Sequence, residues 1–315
     1  MKRRRALRIV TALLFMLAAG AASASELLVV CQSGAELRGV ETQHFTTTRQ
    51  LKLPKAPAAL ALSPDRASAF ITHPDAGLLT RVDLARSALI TSAAIGGQPF
   101  GIVADPDGRT LYVGDWSADR VRRLDAASLA ETGSVAVGRS PAGLALDPAR
   151  RELYSADREA GAVSIIDLET FTRVATVPVG EGPYSFDTSG DRRTLRVVNV
   201  RSGDLAEIDK DSHAVTRLAV GKMPYGAASL SRTGEVLVAN QQSGTLSLVA
   251  AGASRPIRTL RVGGSPEGVA VDPSHPRAYV ADWFSDQVLV VDLDALQVAA
   301  RIGVCKGPRS LTLLP

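Results

Sequence analysis

One spacing constrains this chain more than any other feature. The strings LPKAP, IGGQP, VGRSP, VGEGP, VGKMP, VGGSP and VCKGP end in Pro57, Pro99, Pro141, Pro183, Pro224, Pro266 and Pro308. Successive prolines lie 42, 42, 42, 41, 42 and 42 residues apart. So constant a period means one supersecondary unit stacked seven times, each copy burying the face of its neighbour. Within one period the sequence divides into four short apolar runs, GVAV, AYVAD, QVLVVDL and VAARIGV, separated by Asp, Pro, Ser and Gly. An earlier period repeats the plan with GLAL, ELYSAD, AVSIIDL and RVATVPV. Runs of this length, rich in β-branched residues and bounded by turn formers, read as strands. Helical repeats would need longer stretches with a 3.6-residue apolar period, which the frequent turn signals interrupt. Four antiparallel strands per period make the blade of a β-propeller, so the chain is predicted to be all-β, a seven-bladed β-propeller of four-stranded antiparallel blades.

The last repeat is incomplete. After Pro308 only PRSLTLLP remains, one strand's worth, while ELLVVCQSG, AELRGVET and TTTRQLKL near the N-terminus supply the second, third and fourth strands of a blade. The last blade is therefore expected to be closed by both termini, one C-terminal strand beside three N-terminal ones. The only two cysteines fall at this seam: Cys305 just before the first strand, Cys31 at the end of the second. In an antiparallel blade those positions meet at one edge, which predicts a Cys31–Cys305 disulfide over the alternative of two inert buried thiols, provided the chain is exported.

Export is what the first 24 residues suggest. A basic head, an apolar run from about Ile9 to Ala19 and the small-residue site Ala22-Ser23-Ala24 read as a signal peptide over residues 1–24, leaving residues 25–315 as the propeller. The apolar run is short for a membrane anchor, which needs roughly 20 residues. Arg4 and Arg5 hint at twin-arginine export, but the rest of that pattern is missing, so the route stays open. Lys2, Arg3, Arg4, Arg5 and Arg8 account for five of the 36 basic residues and no acidic ones, so removal leaves 31 basic against 32 acidic groups, a net charge of −1. A near-neutral mature chain, with few aromatics among its basic residues, argues against a nucleic-acid partner. The expected product is a periplasmic or secreted bacterial protein, a monomer with no membrane span.

LYVGD, AYVADW, VLVAN and LRVVN, preceded by SPEGVAVDP and followed by VVDLD, resemble the YVTN-repeat family of exported bacterial β-propellers. The resemblance covers nearly the whole mature chain and implies the fold. For activity it implies only a range. Seven-bladed propellers similar to this one include lactone hydrolases, lyases and the large subunits of periplasmic quinoprotein dehydrogenases, and single-strand DNA binding is associated with relatives in the family. Fold alone does not choose among these.

Candidate site residues come from positions where the repeat prescribes place but not identity. The residue after each proline is Ala58, Phe100, Ala142, Tyr184, Tyr225, Glu267 or Arg309. These side chains are expected to rim the channel mouth, forming either a pocket for a small ligand or protein partner or a plugged, solvated mouth. The only tryptophans, Trp116 and Trp283, occupy equivalent turns in DWSAD and DWFSD on the same face, as contact residues or as rings folded over a blade. A second ring, Gln32, His73, Asp115, Asp157, Asn199, Asn240 and Asp282, closes the second strands. It reads as turn chemistry rather than a metal site. The second strand lies about 4.8 Å outside the channel-lining one, so different blades cannot share an ion whose ligands stand at about 2.4 Å. Asp83, Asp125, Asp167, Asp209 and Asp292, closing the third strands, read as turn residues of the opposite face. No HExxH, CxxC or GxSxG motif is present. Glu267, Arg309 and His73 are the weak candidates for acid–base work. No cofactor or metal is predicted, and the leading expectation is a binding protein rather than an enzyme.

Overall fold

The computed structural model describes residues 25–187, 193–230 and 233–314; the predicted signal peptide lies outside them. Seven four-stranded antiparallel sheets follow one another. Blade 1 runs Leu60–Leu62, Ser68–His73, Leu78–Asp83 and Ala88–Ala94. Blade 2 is Pro99–Ala104, Thr110–Asp115, Arg120–Asp125 and Glu131–Ala136, and blade 3 is Pro141–Asp147, Glu152–Asp157, Ala162–Asp167 and Thr172–Pro178. Blade 4 comprises Pro183–Asp187, Thr194–Asn199, Asp204–Asp209 and Val215–Ala219; blade 5, Pro224–Ser229, Val236–Asn240, Thr245–Val249 and Arg258–Arg261. Blade 6 follows with Pro266–Val271, Arg277–Asp282, Gln287–Asp292 and Gln297–Gly303. Blade 7 joins the termini: Pro308–Leu314 pairs with Glu26–Cys31, which is followed outward by Glu36–Glu41 and Thr47–Lys52. The expected closure is what the fold adopts.

Burial follows position within the blade. Second strands such as Ser68–His73 are buried throughout, whereas the outermost strands alternate, as a sheet with one solvated face must. Among the described residues the core is divided into seven apolar clusters, each lying between two neighbouring blades. Leu28, Val30 and Leu37 of blade 7 pack on Ala69, Ile71 and Val82 of blade 1, and Ala145, Tyr154 and Val163 of blade 3 pack on Phe186, Leu195 and Val197 of blade 4. No blade can bury its faces alone, which is why the repeat must close.

The seam is fastened in two ways. Cys31 and Cys305 form a disulfide with their Cα atoms 5.9 Å apart, across 274 residues of sequence. Beside it, Gln32 N–H donates to the Gly307 carbonyl and Gly34 N–H to that of Lys306, both at 2.8 Å.

Candidate functional site

The first strands of successive blades touch in a closed ring around the axis. Glycines two residues after the prolines make this possible. A Cβ on Gly101, Gly143, Gly226 or Gly268 would fall on the carbonyl oxygen of Ala142, Tyr184, Glu267 or Arg309 in the next blade. Ser185, at the same repeat position in blade 4, donates its Oγ to Tyr225 O, and Thr72 Oγ1, from the second strand of blade 1, donates to Phe100 O, both at 2.7 Å.

In six blades the register slips just past the proline, placing Phe100, Ala142, Tyr184, Tyr225, Glu267 or Arg309 in a bulge. A bulged residue leaves the strand's in-and-out alternation, and here the side chain turns into the channel. Together with Ala58, all of them line one cavity of about 220 Å³. The position after the proline lines the channel in every blade, and five of its occupants, Phe100, Tyr184, Tyr225, Glu267 and Arg309, contact one another.

Arg309 is the hub. Its Nη1 donates to Gln32 Oε1 at 2.8 Å and its Nη2 to the Tyr184 hydroxyl at 2.6 Å, across the channel from blade 7 to blade 4. The guanidinium lies 5.5 Å from the Phe100 ring centroid and 5.8 Å from that of Tyr225, within cation–π range. Tyr184 packs on Tyr225 at 4.4 Å and on Phe100 at 5.9 Å, and Phe100 on Trp116 at 5.2 Å, a continuous aromatic row from the channel to the upper face. Arg158 covers the outer Trp116 ring at 5.5 Å.

Glu267 is buried beside Arg309. Its Oε1 accepts from Gln241 Nε2 at 2.6 Å, and its Oε2 stands 3.8 Å from Arg309 Nε. Burial pushes the Glu267 carboxyl above its ordinary range; Arg309 and the Gln241 hydrogen bond oppose the shift without reversing it. Burial likewise raises the Tyr184 phenol, against the pull of Arg309.

Two of the singled-out residues lie elsewhere. His73 is fully buried in blade 1 and does not line the cavity; its Nδ1 donates to the Lys55 carbonyl at 3.2 Å, and burial lowers its pKa. It is thus not brought together with Glu267 and Arg309. Trp283 sits against Phe284 at 4.6 Å, beside the Gly307 turn of the seam, away from the aromatic row. The two tryptophans, equivalent in sequence, therefore have different surroundings.

The second ring is structural in a way the sequence reading only half anticipates. Its members do not chiefly bond their own turn. Asp115 accepts from Gln98 N–H, Asp157 from Gly138 N–H and Asp282 from Ser265 N–H, while Asn199 donates to Val179 O. These four, with His73 on the Lys55 carbonyl, tether the connection entering their blades and fix where the first strand begins, whereas Asn240 donates to Thr245 and Ser247 of its own blade and Gln32 accepts from Arg309. The Asp residues of the opposite face are turn residues as read: Asp125 accepts from Ser128 N–H, Asp167 from Thr170 N–H and Asp209 from Ser212 N–H. Among the described residues, the one close set of metal-ligating types is Cys31, Cys305 and Glu36, and its two sulfurs are bonded to each other.

Gln32 and Gln241 were not expected at the mouth. Gln241 follows the ring residue of its blade as Trp116 and Trp283 do, and the non-repeating identities at that place, Ser33, Pro74, Trp116, Arg158, Val200, Gln241 and Trp283, are a signal that could have found it.

Comparison with known proteins agrees on the architecture. Solved structures similar to this chain include a hydrazine synthase chain of Kuenenia stuttgartiensis, 18% identical, covering 84% of this chain and 91% of that one with a TM-score of 0.73. The dihydro-heme d1 dehydrogenase NirN in complex with DHE is 16% identical over 91% of this chain and 74% of its own, TM-score 0.71. Apo AztD from Citrobacter koseri is 12% identical over 92% and 98%, TM-score 0.71. At such identities the likeness is one of fold. No curated protein matches the sequence. The YVTN repeat is the name of a related propeller family, and the sequence match that settles membership is a different one: residues 43–234 match the YNCE-like beta-propellers, and the chain belongs to that family.

Proposed function

We propose that this propeller is an exported binding protein that holds a small ligand, or a side chain of a protein partner, at the channel mouth of its upper face. One observation carries the reading: five non-repeating side chains from five different blades, Phe100, Tyr184, Tyr225, Glu267 and Arg309, meet in one cavity and contact one another. Packing does not demand them, since Ala58 and Ala142 fill the same repeat position. Export is supported by the disulfide, which forms in oxidising compartments, and by the signal-like N-terminal sequence. Among the described residues no helix is long and apolar enough to cross a membrane.

The test replaces Phe100, Tyr184, Tyr225 and Trp116 with Ala and measures capture from native envelope extract. Capture is expected to vanish while the far-ultraviolet circular dichroism is unchanged; capture at the wild-type level would overturn the reading.

A catalytic reading has one observation in its favour, the raised pKa of Glu267 beside a cavity and an arginine. With His73 outside the cavity, Glu267 would have to act without a histidine partner. Turnover of a lactone panel, lost in Glu267→Gln, would establish it.

A further inference from the structure

The mouth holds two opposite charges that are each incompletely satisfied, and what would satisfy both follows from their chemistry. This inference rests on the binding reading above. Glu267 is 4% exposed. One of its oxygens accepts from Gln241, but Oε2 is buried with no hydrogen-bond partner. A buried carboxylate oxygen without a donor has given up water for nothing, and a native fold seldom leaves one. Arg309 Nε, 3.8 Å away, attracts it but is too distant for a hydrogen bond. The guanidinium is itself underused: of its five N–H groups, one bonds Gln32 and one bonds Tyr184.

Both groups line the same cavity, walled by Phe100, Tyr184 and Tyr225. Its volume of about 220 Å³ falls below the roughly 300–1,000 Å³ of pockets for drug-sized ligands, so the occupant is small. A simple cation would be repelled by Arg309, and a simple anion by Glu267. A molecule carrying both charges on adjacent atoms meets neither penalty.

We propose that the channel mouth binds a small zwitterion of the α-amino acid type, its ammonium donating to Glu267 Oε2 and its carboxylate accepting from the free N–H groups of Arg309. The ammonium must carry N–H, because Oε2 needs a donor; a quaternary amine would leave it unsatisfied. The aromatic walls take the apolar side chain, and Phe100 and Tyr225, which already flank a cation, tolerate the ammonium beside them. A bound ammonium also favours the ionised form of Glu267, against the burial that raises its pKa.

The experiment is isothermal titration of the exported chain with each of the twenty free amino acids. Each binder is then compared with its N-acetyl derivative, which lacks the ammonium, and its methyl ester, which lacks the carboxylate. At least one apolar amino acid is expected to bind saturably, with both derivatives weakened tenfold or more. Glu267→Gln should weaken the free amino acid and its methyl ester, which both carry the ammonium, tenfold while leaving the weak binding of the N-acetyl form near its wild-type level, and Arg309→Lys should cost most of the discrimination against the methyl ester. Saturable binding by none of the twenty, or equal binding of a capped form, overturns the proposal. If no amino acid binds while capture from envelope extract still depends on the aromatic residues, the zwitterion is rejected and the binding reading stands.

Discussion

The two faces of the propeller are built by the same repeat and differ in what they repeat. On the lower face, Asp125, Asp167 and Asp209 accept the backbone N–H three residues on, in three successive blades with the same geometry. On the upper face, the seven positions after the prolines carry five different residue types. The difference has a physical origin. A turn presents the same unsatisfied backbone donors in every blade, so one residue type solves the same problem each time. Side chains that enter the shared channel face one another instead, and seven copies of one residue there would crowd or repel. Repetition marks what the fold needs; departure from it marks where the chain is free to carry something else.

That contrast can be broken at the ring of first strands. Gly143→Val sets side-chain atoms against the Tyr184 carbonyl and should destabilise by about 3 kcal/mol or more. The matching change Gly303→Val, on an exposed outer strand with open space at its Cβ, should stay within about 0.5 kcal/mol. Urea unfolding of both variants checks the pair; equal effects would mean that the first strands are not in contact.

The seam comes next. Replacing Cys31 and Cys305 with Ser should cost about 2–4 kcal/mol, read from the unfolding midpoint. Arg309 and Gln32 flank the disulfide in sequence and hold each other, so amide exchange should rise first at residues 303–314 and 26–34. Uniform loss of protection across all blades would contradict this.

A pH-dependent effect separates the tethering ring from the turns. Asp157 is fully buried and burial raises its pKa, the hydrogen bonds from Ser164, Ser155 and Gly138 N–H opposing without prevailing. The native state therefore holds this proton more tightly than the unfolded chain, whose aspartate titrates near about 3.9. Its stabilising contribution is present below that value and is lost as pH rises through the raised native pKa. Asp157→Asn should remove this decline, since Asn240 serves at the equivalent position, donating to Ser247 Oγ at 2.9 Å. Melting temperatures from pH 3 to 8 that fall equally in both proteins would refute the assignment. The smallest effect belongs to the lower turns: Asp167→Ala should cost about 1 kcal/mol, leaving the mouth untouched.

The sequence made the architecture legible because the proline period and the four apolar runs are local signals, and because Cys31 and Cys305 are the only cysteines. It made the mouth positions legible as places, since the residue after the proline can be aligned. Their partners were less visible. Arg309 meets Gln32 across 277 residues and Tyr184 across 125, distances over which no local pattern speaks. The bulge that turns these side chains inward is a register slip, which alternation of residue types does not reveal. His73 illustrates the converse. Its sequence position matches Asp115 and Asp282, yet a histidine there donates to a carbonyl where an aspartate accepts from an N–H, so it serves the connection to its blade and not the cavity.

The central claim, that the non-repeating mouth is the working surface and the repeating face is scaffold, has a direct test. The protein is purified from the cells that make it as wild type, as a Tyr184→Ala, Tyr225→Ala, Glu267→Gln variant, and as an Asp83→Ala, Asp125→Ala, Asp167→Ala variant, and each is weighed by native mass spectrometry. A bound species carried by the wild type and the lower-face variant and missing from the mouth variant is the predicted result. A species retained by the mouth variant, or lost from the lower-face variant alone, would contradict the account.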